Sequence, residues 1–182
     1  MPCGWKNNMK LSIKEMAVFG MLGALMYASK LLMEVFPNIH LLGTFVITLT
    51  LVYRKKALYP IYTFVFITGL FGGFASWWVP YLYIWTVLWA AAMLLPKNIP
   101  AKLQPLIYML LCSSHGFLYG VLYAPAQALM YGLSFSGMLA WIAAGFPFDL
   151  IHGISNFFAG ALILPLAKVI RLAENTRPHS YS

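Results

Sequence analysis

Thr48-Leu49-Thr50-Leu51-Val52-Tyr53-Arg54-Lys55-Lys56-Ala57-Leu58-Tyr59 places three consecutive cations between two apolar runs. The same arrangement recurs at Lys6/Lys10/Lys14, at Lys97/Lys102 and at Lys168/Arg171/Arg177. Between each pair of cationic patches lies enough apolar sequence to cross a bilayer twice. Lys and Arg concentrate in the cytoplasmic loops of membrane proteins. The pattern therefore predicts an all-α integral membrane protein, a compact bundle of six transmembrane helices with cytoplasmic N and C termini. It also assigns the net charge of +8 to orientation and to anionic lipid headgroups, which argues against a nucleic-acid partner.

Composition leads the same way. In 182 residues, 62% are hydrophobic and only 9% charged, and the mean hydropathy is +0.78. Six spans of about 20 residues leave room for short connections only, so one transmembrane domain over residues 1–182 is expected and a soluble catalytic domain is not. Long unbroken apolar runs without alternation exclude a strand barrel. A cleavable signal peptide is not expected, because the first apolar stretch is too long and no small-residue cleavage site follows it. Cys3 and Cys112 fall in the tail and at mid-membrane, which argues against a disulfide.

The expected helices are Ile13–Phe36, Asn38–Tyr53, Ala57–Ser76, Tyr81–Leu95, Leu103–Tyr123 and Pro147–Arg171. Ser12-Ile13-Lys14-Glu15 has the form of a capping box for the first of them. Pro37 stops it, Trp77 and Trp78 suit an outer turn at the headgroups, and Pro125 ends the fifth helix. The stretch 126–146 reads as an outer loop with a short interfacial helix.

Two patterns bear on function. Gly20, Ala24 and Ala28 on helix one, and Gly116, Gly120, Ala124 and Ala128 on helix five, are stripes of small residues that let another helix approach closely. The helix-five stripe fits internal packing; the helix-one stripe fits either packing or an external partner. The second pattern is a convergence of polar and aromatic residues on the outer half of the bundle. Asp149, His152 and Asn156 share one face of helix six, Tyr119, Tyr123 and Gln127 climb helix five, and Tyr81 and Trp85 open helix four. Trp78 in the outer turn and Lys30 near the outer end of helix one complete the candidate substrate-binding set. Polar groups within a membrane are costly and normally face the interior, so agreement on one depth marks a site. Each has a plainer reading too: Lys30 can snorkel or pair with Glu34, tyrosines and tryptophans can belong to the interfacial belt, and His115 can be a packing histidine with one hydrogen bond.

Six short spans, cytoplasmic ends, Ala24-Leu25-Met26-Tyr27-Ala28, an outer aromatic site and the run Phe146-Pro147-Phe148-Asp149-Leu150-Ile151-His152-Gly153-Ile154-Ser155-Asn156 together resemble one family. The chain is similar to the substrate-specific S component of an energy-coupling factor (ECF) vitamin transporter. The resemblance implies a high-affinity receptor for a vitamin or related micronutrient in the bacterial cytoplasmic membrane. It also implies that Ala24 and Ala28 dock on a transmembrane coupling subunit driven by two cytoplasmic ATP-binding subunits. No ligand contact transfers from the family by motif. The residues agree that energy comes from elsewhere, since the sequence has no Gly-rich phosphate loop followed by Lys and Ser/Thr.

The rival readings are a self-sufficient secondary carrier and an intramembrane enzyme. A carrier normally shows an internal repeat and a charge relay, and neither is evident. An enzyme would need a paired acid, a zinc motif or a nucleophile beside its base, and Ser113, Ser114 and His115 are adjacent positions facing different ways on a helix. No metal or cofactor is expected. Abundant Trp and Tyr favour a planar heterocycle as ligand, and Asp149 favours a hydrogen-bond donor or cationic nitrogen on it, without saying which one.

Overall fold

The computed structural model describes residues 11–35 and 39–175. The expected stop at Pro37, the ends at Phe36 and Asn38, and Cys3, Lys6, Lys10 and Arg177 lie outside them. Among the described residues there are eight α-helices and no strand: α1 (Ile13–Met33), α2 (Leu42–Tyr53), α3 (Leu58–Gly72), α4 (Tyr81–Leu94), α5 (Gln104–Phe117), α6 (Tyr119–Tyr131), α7 (Phe135–Ala159) and α8 (Ile163–Asn175). Three short 3₁₀ turns, Arg54–Ala57, Ser76–Trp78 and Gly160–Leu162, join or extend them. Among the described residues, four helical segments are long and apolar enough to cross a membrane: Ile13–Met33, Ser76–Leu94, Gln104–Tyr131 and Phe135–Glu174. The helix α2, with 12 residues, and α3, with 15, fall short of the roughly 20 residues a span requires.

Helix α1 starts where the capping box places it. The Ser12 hydroxyl accepts from the Glu15 amide at 3.2 Å, and the Glu15 carboxylate accepts from the Ser12 amide at 2.8 Å. Glu15 also reaches Lys56 at 2.6 Å, tying the start of α1 to the turn after α2. Tyr53 donates to Glu174 and Arg171 donates to the Leu51 carbonyl, which brings the end of α8 to the same place. Trp89 Nε1 donates to the Arg54 carbonyl and adds the end of α4. The cationic turn and the charged helix ends therefore gather at one end of the bundle. At the other end Tyr123 donates to the Trp77 carbonyl, and Ser76 meets Tyr131.

Helix α2 is the most enclosed. Leu42, Val46, Ile47 and Leu49 of α2 are fully buried, and so are its threonines. Thr50 satisfies its hydroxyl on the Val46 carbonyl of its own helix at 2.6 Å, so a polar side chain enters the core without an orphaned donor. Helices α1 and α3 run parallel, held by a backbone approach at Gly23, where a Cβ would lie 2.6 Å from Thr63. Helices α5 and α7 run antiparallel at the same intimacy: a Cβ on Gly116 would stand 2.8 Å from Gly153 Cα, and one on Gly160 2.8 Å from Met109 Cα. The small-residue stripe of the fifth helix is thus internal packing, as its spacing suggests.

The largest departure from the sequence reading lies at 126–146. This stretch is not an outer loop. Helix α6 continues through Pro125 to Tyr131, a turn of three residues follows, and α7 begins at Phe135 and continues through Pro147. Proline removes one amide donor without ending a helix when neighbouring helices hold the chain, a tolerance familiar within membranes. The true stop is Gly132, in the left-handed conformation at φ 65°, and the true start is Ser134, whose hydroxyl accepts from the Gly137 amide at 3.1 Å. Helix five is accordingly longer than Leu103–Tyr123 and breaks at Leu118. Helix six begins twelve residues earlier than Pro147 (147 − 135) and breaks at Gly160–Leu162.

Candidate functional site

A chain of ring contacts crosses the bundle between α4, α5, α6 and α7. Trp85 meets Tyr81 edge-on with centroids 5.6 Å apart, His115 at 5.7 Å and Tyr119 at 6.2 Å. Tyr119 in turn packs on His152 at 4.9 Å, and His152 meets His40 edge-on at 4.5 Å. Tyr123 continues the row towards the outer turn, 5.9 Å from Tyr119, and stacks on Trp141 at 5.8 Å. The rings come from α4, α5, α6 and α7, with His40 from the segment before α2. That convergence follows from the close crossing of α5 and α7, since only glycines at 116 and 153 let His115 and His152 share a layer.

Asp149 has a specific partner. Both carboxylate oxygens lie 3.1 Å from the Gly120 amide, which donates to them. Gly120 is the second residue of α6, a position whose amide finds no acceptor inside its own helix. Asp149 thus caps a neighbouring helix across the interface, and a Cβ on Gly120 would collide with it at 2.2 Å.

Other side chains in this layer keep atoms that nothing satisfies. His40 Nδ1, Trp85 Nε1, His115 Nδ1 and Asn156 Oδ1 are buried without a hydrogen-bond partner. Trp85 is 1% exposed, His115 5% and Asn156 0%. A buried donor or acceptor left unpaired costs about 1–3 kcal/mol, and here four occur together. His115 has its one expected hydrogen bond, Nε2 donating to the Ile84 carbonyl at 3.2 Å, and Asn156 Nδ2 donates to the Cys112 carbonyl at 3.4 Å. Among the described residues no three His, Cys, Asp or Glu side chains are grouped to hold a metal ion.

The sequence-derived set is brought together in part. Tyr81, Trp85, Tyr119, Tyr123 and His152 belong to the ring chain, Asn156 lies one turn below His152, and Asp149 shares their helix face but turns to Gly120. Gln127 is half-buried one turn beyond Tyr123. Trp78 points elsewhere: its Nε1 donates to the Val65 carbonyl at 2.8 Å and its ring packs on Phe74. Lys30 is paired with Glu34 one turn on along α1. Sequence reasoning missed His40 and Trp141, placed Trp77 only in the outer turn, and left His115 out of the binding set in favour of a packing role. His40 fell within the expected second helix, whereas the structure begins α2 at Leu42 and leaves His40 in the segment before it.

The docking candidates Ala24 and Ala28 are exposed. They line an apolar groove of about 670 Å³ between α1 and the end of α8, together with Val18, Leu25, Tyr53 and Ile170. The face of α1 that packs inward is a different one, formed by Phe19, Gly23 and Met26.

No family model, no curated protein and no solved structure matches this chain.

Proposed function

We propose that this chain is the substrate-binding S component of an ECF-type transporter, a receptor for a vitamin or related micronutrient. The observation that carries the reading is the group of buried, unpartnered polar atoms on His40, Trp85, His115 and Asn156, set in one aromatic layer. Apolar and aromatic walls with a few directed polar groups are the usual composition of a small-molecule site. Binding, rather than catalysis, is the role such a layer suits, because its one acid is committed to a backbone amide.

On this reading the chain crosses a bacterial cytoplasmic membrane six times, through α1, α2, α3, α4, α5–α6 and α7–α8. The short α2 and α3 are enclosed by or packed on longer neighbours, which relieves them of covering the full hydrocarbon thickness alone. The end that carries Lys56, Arg54 and Arg171 is cytoplasmic, with both termini, by the excess of cations there. Energy comes from a transmembrane coupling subunit and two cytoplasmic ATP-binding subunits. The open groove beside Ala24 and Ala28 supports this, since it leaves a flat, small-residue helix face free for another helix.

Affinity purification from the native membrane tests the proposal. Native mass spectrometry should find one small molecule per chain and ATP-binding subunits in the same complex. A chain that purifies without either partner or ligand, and transports alone in liposomes, is a secondary carrier instead.

A further inference from the structure

The unsatisfied atoms of the buried layer define a chemical class of ligand, on the reading that this layer is the binding site. His115 Nε2 faces a carbonyl oxygen, which has no hydrogen to give, so Nε2 carries the proton. Buried between Trp85 and Tyr119 with no acid beside it, the ring is neutral, and its Nδ1 is then a bare acceptor. The Cys112 carbonyl fixes the Asn156 amide in the same way, leaving Oδ1 as an acceptor. Trp85 Nε1 can only donate. The wall therefore asks a ligand for N–H groups and for one acceptor.

No ion faces the unsatisfied atoms: both Asp149 oxygens turn to the Gly120 amide, and Lys30 pairs with Glu34. Burying an ionised ligand without a partner costs more than neutral hydrogen bonds return.

We propose that the ligand is an uncharged planar heterocycle with a lactam edge. Its carbonyl accepts from Trp85 Nε1, and its N–H groups donate to His115 Nδ1 and Asn156 Oδ1. Tyr81, Tyr119 and His152 provide ring surfaces beside it. A lactam edge places donor and acceptor on adjacent atoms of a flat ring, which matches both the hydrogen-bond demand and the aromatic walls.

Calorimetric titration of the purified chain tests this with five probes: the neutral lactams lumazine and hypoxanthine, the neutral amide nicotinamide, the anion nicotinate and the cation thiamine. Saturable binding of at least one lactam is expected, at least about tenfold tighter than nicotinate or thiamine. Trp85→Phe keeps the ring, loses the N–H and should weaken that binding about tenfold, the worth of one buried hydrogen bond. Tightest binding of thiamine or nicotinate, no saturable binding of any lactam, or full affinity in a folded Trp85→Phe chain overturns the assignment. The wild-type comparison decides the class even where the variant does not fold. Mass spectrometry of the ligand retained from native membranes separates the two levels of failure. A retained charged molecule overturns the lactam class and leaves the receptor reading standing; a chain that retains nothing counts against both.

Discussion

Asp149 shows how a residue's type can be read from sequence while its task cannot. It is the one acid in helices α2 to α7, and the cost of burying a carboxylate guarantees it a partner. That the partner is a backbone amide, Gly120, depends on the break at Leu118, which no residue pattern announces. Asp149→Leu leaves that amide buried and unpaired and should cost about 1–3 kcal/mol in stability, measured by thermal unfolding in detergent. Gly120→Ala pushes the carboxylate away by collision and should cost a similar amount. Because both substitutions remove one interaction, the double variant should lose clearly less than the sum of the two. Strict additivity would mean that Asp149 and Gly120 act independently. His40 is the opposite case: nothing in its neighbourhood in sequence points to a site, and only the tertiary contact with His152 gives it a place there.

At the scale of elements, the start of the first helix and the packing stripe of the fifth were legible and the proline positions misled. The capping box at Ser12 and Glu15 formed as its spacing requires, and the Gly116/Gly120 stripe packs within the molecule. Pro125 and Pro147 read as boundaries yet lie inside α6 and α7. Gly132 and Ser134, a stop and a cap two residues apart, were the better signals in that stretch. Helix α1 divides its faces between the core and an open groove, and that division carries a prediction. Ala24→Leu or Ala28→Leu adds bulk where α1 meets no inner neighbour, so the fold and ligand retention should survive. Copurification of the coupling and ATP-binding subunits should be lost through steric overlap. Loss of the ligand with normal copurification would place the stripe in the ligand site instead of the interface.

For the whole molecule, the alternating cationic patches were the most informative feature, because charge asymmetry is set by the membrane and needs no tertiary detail. Lys56, Arg54 and Arg171 do gather at one end of the bundle. Membrane-impermeant amine and cysteine labelling of intact cells should fail at Lys55 and succeed on cysteines placed at Gly73 and Gly132, the turns at the opposite end. Outside labelling at Lys55 would invert the topology. The candidate site was legible as a composition, but not as a set of contacts, since which ring meets which depends on glycine crossings between distant helices. The central claim is that this chain binds its ligand and borrows the energy to move it. Uptake of the retained ligand into proteoliposomes tests that most directly. The chain alone should bind about one ligand and accumulate none, and accumulation should begin only when the coupling subunit, both ATP-binding subunits and ATP are supplied. Concentrative uptake by the chain alone would contradict the account.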